Sequence, residues 1–170
     1  MRDQDTVEEL YRGCYHRLVQ QLYPVTGELK DAQDVVQDAF ARLLAVPGRV
    51  NKLDNPEAWL RTVAVNHARS RWRRRTRWGR LLPRYAATQP SVIPGASPDH
   101  VALMTALRQL PDNHRTAVAL HYLADLPVAD VATTLGAPEG SVKVWLARGR
   151  ARLATLLTDH PTAERSEQNV

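Results

Sequence analysis

Apolar residues recur at helical spacing in several separate stretches of the chain, and the pattern predicts an all-α fold. Val7, Leu10, Tyr11, Cys14, Leu18 and Leu22 share one face of a first helix, which Thr6 should open because Thr6 and Glu9 have the spacing of a capping box. Pro24 and Gly27 break the pattern. Asp31 is the expected cap of a second helix, with Val35, Val36, Ala39, Phe40, Leu43 and Leu44 inward and Asp34, Gln37, Asp38 and Arg42 outward. Pro47 and Gly48 end it. Asn55 followed by Pro56 is a good N-cap with proline at the first helical position, so a third helix starts there. Its inner stripe is Trp59, Leu60, Val63, Ala64, His67, Ala68 and Trp72. Arg61, Thr62, Val65, Asn66, Arg69 and Arg73 fall largely elsewhere on its surface.

Periodicity weakens between Gly79 and Pro98, where Pro83, Pro90, Pro94, Gly95 and Pro98 cluster, and a stretch this long without structure reads as a linker. Beyond it, Ser97 and Pro98 resemble another helix start, followed by Val101, Met104, Leu107 and Leu110. A further helix is expected from about Asn113 to Leu123, and Pro127 opens a last pair. The chain is therefore expected to form two small helical domains joined by a flexible linker: residues 1–78, a linker over 79–98, and residues 99–158. The weakly patterned tail, 159–170, is expected to be disordered.

From Val128 the sequence runs VADVATTLGAPEGSVKVWLARGRARL, a short helix, a glycine turn and a second helix, which is helix-turn-helix form. Ala132 is small where the helices would cross, Gly136 allows a positive φ at the turn, and Val142 with Leu146 would pack the second helix on the first. That arrangement presents the N-terminal side chains of the second helix to base edges and its basic residues to phosphates. Ser141, Lys143 and Val144 are placed to read; Arg148, Arg150 and Arg152 follow, with simple solvation an equal reading for Arg152.

Charge sharpens this picture. The net charge is only +5 over 170 residues, but no acid lies between Glu57 and Asp99, a stretch that holds the run Arg71, Arg73, Arg74, Arg75 and Arg77 as well as Arg61, Arg69, Arg80 and Arg84. Solvated helix faces usually interleave both signs, so a polyanionic partner is implied. Arginine suits phosphate because its planar fork donates two hydrogen bonds at once. The single cysteine, Cys14, excludes an intrachain disulfide and reads as a small core residue. His67 reads as a core or boundary residue, having no second histidine at ligand spacing. No metal site or cofactor is expected. The N-terminus lacks the apolar core of a signal peptide and no stretch matches a membrane span, so a soluble protein kept inside the cell, without membrane insertion, is expected.

These residues resemble the extracytoplasmic function (ECF) group of bacterial RNA polymerase sigma factors, and the likeness covers nearly the whole chain. DAQDVVQDAF resembles the group's core-binding helix, NPEAWLRTVAVNHARSRW the helix that engages the melting site, and LPDNHRTAVALHY with DVATTLGAPEGSVKVWLARGRARL the domain that reads the −35 element. The resemblance implies a non-catalytic promoter-specificity factor whose partners are core RNA polymerase, through its beta-prime clamp helices and beta flap, promoter DNA and, in many relatives, an anti-sigma protein. It assigns Asp34, Gln37 and Asp38 to the clamp helices. It assigns Asn51, Lys52, Leu53, Asp54 and Asn55 to a loop that captures a flipped base of the −10 element. Trp59, Thr62, Val65, Asn66, Arg69 and Arg73 would line the separating strands and their backbone, Trp59 having an equal reading as core. Ser141, Lys143, Val144, Arg148 and Arg150 would contact the −35 element. The sequence departs from the group at Ser70, where an acid or amide is common, and at Val144 and Trp145, which replace serine and arginine; Trp145 is expected to pack.

Two other classes stand beside this one. A self-sufficient helix-turn-helix regulator would bind a palindrome as a dimer without polymerase. A nucleic-acid enzyme would use the arginines as a substrate cradle. Ala58 to Pro98 offers no carboxylates for metal ions, and no nucleophile–base pairing, phosphate loop or small-molecule site is recognisable.

Overall fold

The computed structural model describes residues 2–81 and 95–159; most of the expected linker and the tail lie outside the described residues. Seven α-helices account for nearly all of the described chain, as the patterning predicts: α1 Arg2–Thr26, α2 Leu29–Leu44, α3 Pro56–Leu81, α4 Pro98–Arg108, α5 Asp112–Val118, α6 Val128–Leu135 and α7 Glu139–Thr158. A 3-10 turn, Val50–Lys52, precedes α3, and a π-helical turn, Ala119–Leu123, continues α5. No described helix is long and apolar enough to cross a membrane.

The first unit is α1, α2 and α3 packed on one another. Leu18, Leu22, Val35, Val36, Leu43, Leu60 and Ala64 are buried at its centre. Cys14 is 1% exposed and unpaired, and burial raises its thiol pKa, which suits an inert core position. Arg17 of α1 forks Glu57 of α3 with Nε and Nη2 at 2.6 and 2.8 Å, pinning the start of α3. Four local expectations need correction. Helix α1 begins at Arg2, and the Thr6 hydroxyl donates to the Arg2 carbonyl instead of capping. Pro24 lies inside α1, which ends only at Gly27, where φ is +79°. A proline deletes one hydrogen bond, and tight packing over Leu22, Tyr23 and Val25 offsets that loss. Helix α2 begins two residues before Asp31, whose carboxylate instead meets Arg75 at 2.5 Å. Leu44 and Tyr11, expected inward, are 51% and 40% exposed.

Helix α3 starts as predicted: Asn55 Oδ1 accepts from the Ala58 N–H at 3.0 Å. So does α4, where the Ser97 hydroxyl accepts from the His100 N–H at 3.2 Å.

The second unit is α4 to α7, and its last two helices form the expected helix-turn-helix. Gly136 sits at φ +61°, the left-handed C-cap of α6. Val142 and Leu146 of α7 are buried, as is Ala132 of α6. Helix α7 also approaches α5 so closely at Gly149 that a Cβ there would lie 2.6 Å from Val118 Cγ2. Only glycine permits that approach.

The two units do not stand apart. Helices α1 and α3 pack against α5, the π turn and α6, and one continuous core runs through both. Arg115 of α5 is fully buried at this junction. Its Nε donates to the Val25 carbonyl at 3.0 Å, Nη1 to the Leu110 carbonyl at 3.4 Å and Nη2 to Asp112 at 2.8 Å. Its guanidinium lies 3.5 Å from the centre of the Trp72 ring. Burial pushes its pKa down to about 10, with Asp112 opposing the fall, so it stays charged at neutral pH.

Candidate nucleic-acid interface

Helix α7 carries the residues expected to face a major groove. Its inward stripe is Val142, Leu146, Gly149 and Leu153. That stripe turns Lys143, Val144, Arg148 and Arg150 outward into solvent, with Ser141 half-buried. Trp145 is half-buried and packs against the core, as expected of a residue that supports the helix. Arg150 reaches over the exposed Tyr122 ring, 5.8 Å from its centre. The turn geometry and the inward stripe follow from the sequence, and together they leave one basic face free.

The α3 face is different. Asn66 and Arg73 are exposed, and Thr62 and Trp59 are half-buried. Trp59 packs on the core edge and Arg49 stands over its ring at 5.4 Å, so the two readings of this tryptophan meet at one partly open position. Val65, expected at the surface, is fully buried. Arg61, Val65 and Arg69 recur every four residues and so share one face; α3 packs against α6, whose Asp130 acts on the Arg61 charge. Arg69 is drawn into the same junction: Nε donates to Asp112 at 2.9 Å and Nη2 to Asn113. Arg73 lies 3.9 Å from the same carboxylate. The second unit thus claims Arg69 and approaches Arg73, while Asn66 and Arg73 stay exposed.

The loop before α3 is held by a residue the sequence did not point to. Asp3 accepts from the Gly48 N–H and from the Asn51 side-chain amide, both at 2.6 Å, across more than 40 positions of chain. Asn51, Lys52, Asp54 and Asn55 remain exposed and Leu53 is half-buried. A carboxylate this distant gives no local spacing signal. On α2, Gln37 and Asp38 are exposed and Asp34 partly so. Asp38 Oδ2 lies 3.2 Å from His67 Nδ1, without hydrogen-bond alignment, and Asp34 lies 3.9 Å from Arg71. Burial, reinforced by Arg42, Arg71 and Arg74, lowers the His67 pKa against the pull of Asp38. Beside Gln37 an apolar groove opens between α1 and α2, lined by Val7, Tyr11, Phe40 and Leu44. Among the described residues no group of three or more histidine, cysteine or carboxylate side chains is placed to hold a metal ion.

An all-helical chain with a basic three-helix unit ahead of a helix-turn-helix unit defines a two-part DNA-binding transcription factor. Family models identify the parts: residues 10–78 match sigma-70 region 2, and residues 100–153 match sigma-70 region 4. The chain is 32% identical over 161 residues to the ECF RNA polymerase sigma factor SigM of Mycobacterium tuberculosis, covering 91% of this chain and 79% of that protein. It is 26% identical over 171 residues to SigW of Bacillus subtilis, covering 92% and 91%. The fold matches that of the sigma factor RpoE solved in complex with the anti-sigma factor NepR from Bartonella quintana, with a TM-score of 0.71 at 24% identity over 93% of this chain and 98% of that one. The chain belongs to the ECF group of RNA polymerase sigma factors, which are not catalytic enzymes and which direct core polymerase to promoters.

Proposed function

We propose that this factor divides promoter recognition between an open face and a covered one. The observation that carries the reading is the free basic face of α7: Lys143, Val144, Arg148 and Arg150 are all solvent-exposed on a helix whose opposite stripe is locked into the core. Lys143, Val144 and Ser141 contact base edges of the −35 element, and Arg148 and Arg150 its phosphates. In the first unit, the Asn51–Asn55 loop receives a base flipped from the −10 element, at a cost of a few kcal/mol that the pocket must offset. Trp59, Thr62, Asn66, Arg69 and Arg73 hold the separated strands, while Val65, fully buried, supports the helix from within.

Asp34, Gln37 and Asp38 dock on the polymerase clamp helices, supported by the exposed apolar groove beside Gln37, and the second unit meets the beta flap. Each DNA contact is weak alone. Core polymerase fixes the separation of the two units, so binding one element raises the effective concentration of the other unit at its own element. The factor works inside the cell, in the cytoplasm and on the nucleoid. An anti-sigma protein is a fitting further partner, because RpoE was solved with one.

The reading is tested with a labelled fragment carrying the factor's own upstream region, incubated with core polymerase, with the factor and with both. Start-site-specific RNA from the mixture alone is expected. Tight specific binding by the factor alone, without RNA, would make it an autonomous regulator instead.

A further inference from the structure

We infer that Tyr122, in the π-helical turn, is a positioning residue for DNA binding, whose ring holds the Arg150 guanidinium ready for a phosphate of the −35 element. This rests on the proposed role of α7. Arg150 stands seven positions after Lys143, about two helical turns and roughly 10 Å along the axis, so the two share one face. With Lys143 at the base edges, Arg150 falls where the helix leaves the groove and the sugar–phosphate backbone passes. It is exposed, and among the described residues no carboxylate pairs with it. A long side chain so placed loses rotamer freedom when it closes on a phosphate, and holding it in place beforehand reduces that loss. The Tyr122 ring is set to do so. Its centre lies 5.8 Å from the guanidinium carbon, inside the roughly 6 Å over which a ring face attracts a cation. A ring attracts the cation without taking its N–H edges, whereas Asp112 and Asn113 take those of Arg69. The Arg150 fork therefore stays open to a phosphate.

The ring is itself held in place. The close approach of Gly149 to Val118 fixes how near α7 comes to the end of α5, one residue before Arg150 and four before Tyr122. The π turn, closed by the Ala124 N–H on the Ala119 carbonyl at 3.0 Å, holds one residue more than an α turn. Through it Leu120 stays buried while Tyr122, two positions on, stands out at 42% exposure. The neighbouring His121 braces the ring. Its Nδ1 lies 2.7 Å from the Leu126 carbonyl, which can only accept, so Nδ1 carries the proton and the imidazole is tied to the chain beyond the turn. The imidazole meets the Tyr122 ring edge to face, with centroids 4.7 Å apart and planes at 71°. Tyr122 thus stands on a fixed base with its face toward Arg150, although its own burial contributes little to the core.

The test uses the full chain assembled with core polymerase, with assembly confirmed for each variant, and a labelled duplex carrying the factor's own upstream region, titrated over a series of salt concentrations. Arg150→Ala should lower the slope of log affinity against log salt by about 0.9, the signature of one lost phosphate contact. Tyr122→Leu should weaken binding about threefold, the size of an exposed cation–π contact. Tyr122→Phe keeps the ring face and should bind as the native factor does. In the Arg150→Ala background, Tyr122→Leu should cost nothing further, because the group it positions is gone. An equal loss in both backgrounds would show that Tyr122 acts through the fold or through a contact of its own, and would overturn the inference. So would a Tyr122→Leu factor of native affinity, or a Tyr122→Phe factor as weak as Tyr122→Leu. Unchanged affinity and slope in Arg150→Ala would remove the phosphate contact itself, and with it the part of the α7 reading on which the inference stands, so the two failures are told apart by the arginine variant alone.

Discussion

The two helices proposed to carry arginines toward DNA, α3 and α7, meet solvent in different ways. On α7 the side opposite the core is bare, and its basic residues have water around them. On α3 one side packs into its own unit and Arg69 is tied to the other unit, while Asn66 and the run from Arg73 to Trp78 are open. Amphipathicity alone makes both look alike. What separates them is a carboxylate, Asp112, placed on the far side of the linker in sequence but within 4 Å of two α3 arginines in space. A basic face is a nucleic-acid surface only to the extent that nothing within the protein has already claimed it.

The comparison can be broken most severely at Arg115. Arg115→Ala removes a buried charge that serves two carbonyls, a carboxylate and the Trp72 face, and should lower unfolding stability by about 3–5 kcal/mol, read from urea titration. Next comes the free side: Gly149→Ala places a methyl group against Val118, at a cost of about 1–3 kcal/mol. It should tilt α7 and weaken binding to the upstream element while leaving the oligothymidylate affinity of the first unit unchanged. Asp3→Ala should release Gly48 and the Asn51 side chain, two hydrogen bonds of about 1 kcal/mol each. The expected readout is slower open-complex formation on an intact duplex, rescued on a template already unpaired around the −10 element.

The smallest expected effect is a pH dependence. Burial lowers the pKa of His67 and of His114, the latter helped by Arg148. Below an ordinary histidine value of about 6.5 the unfolded chain takes up protons that the folded chain resists, so stability falls as pH falls through that value. The urea midpoint should drop between pH 7.5 and 5.5, and His67→Gln with His114→Gln should flatten the slope.

Much of the fold was legible because its signals are local. Asn55–Pro56, Ser97–Pro98 and Gly136 each act through the next few residues, and each does in the structure what its chemistry implies. The inward stripe of α7 follows from a spacing of three and four. The misses are of another kind. Val65 reads as surface beside the polar Asn66 and Arg69, yet it is fully buried in the core. Arg115 looks like an ordinary helix arginine, and nothing near it announces that it is the largest of the fully buried side chains. Pro24 looks like a stop, yet the packing of Tyr23 and Val25 carries the helix past it. Asp3 escaped because its partners are 45 and 48 positions on. Pairings over such distances are properties of the assembled core, and no periodicity encodes them.

Asp112 has one further consequence. A single carboxylate answers Arg69, Arg73 and Arg115 at once, so any rearrangement that removes it leaves guanidinium groups in want of anions. Arg69 and Arg73 reach it from the other unit, whereas Arg115 holds it from the same helix. One acid therefore sets the charge balance of three arginines drawn from two helices.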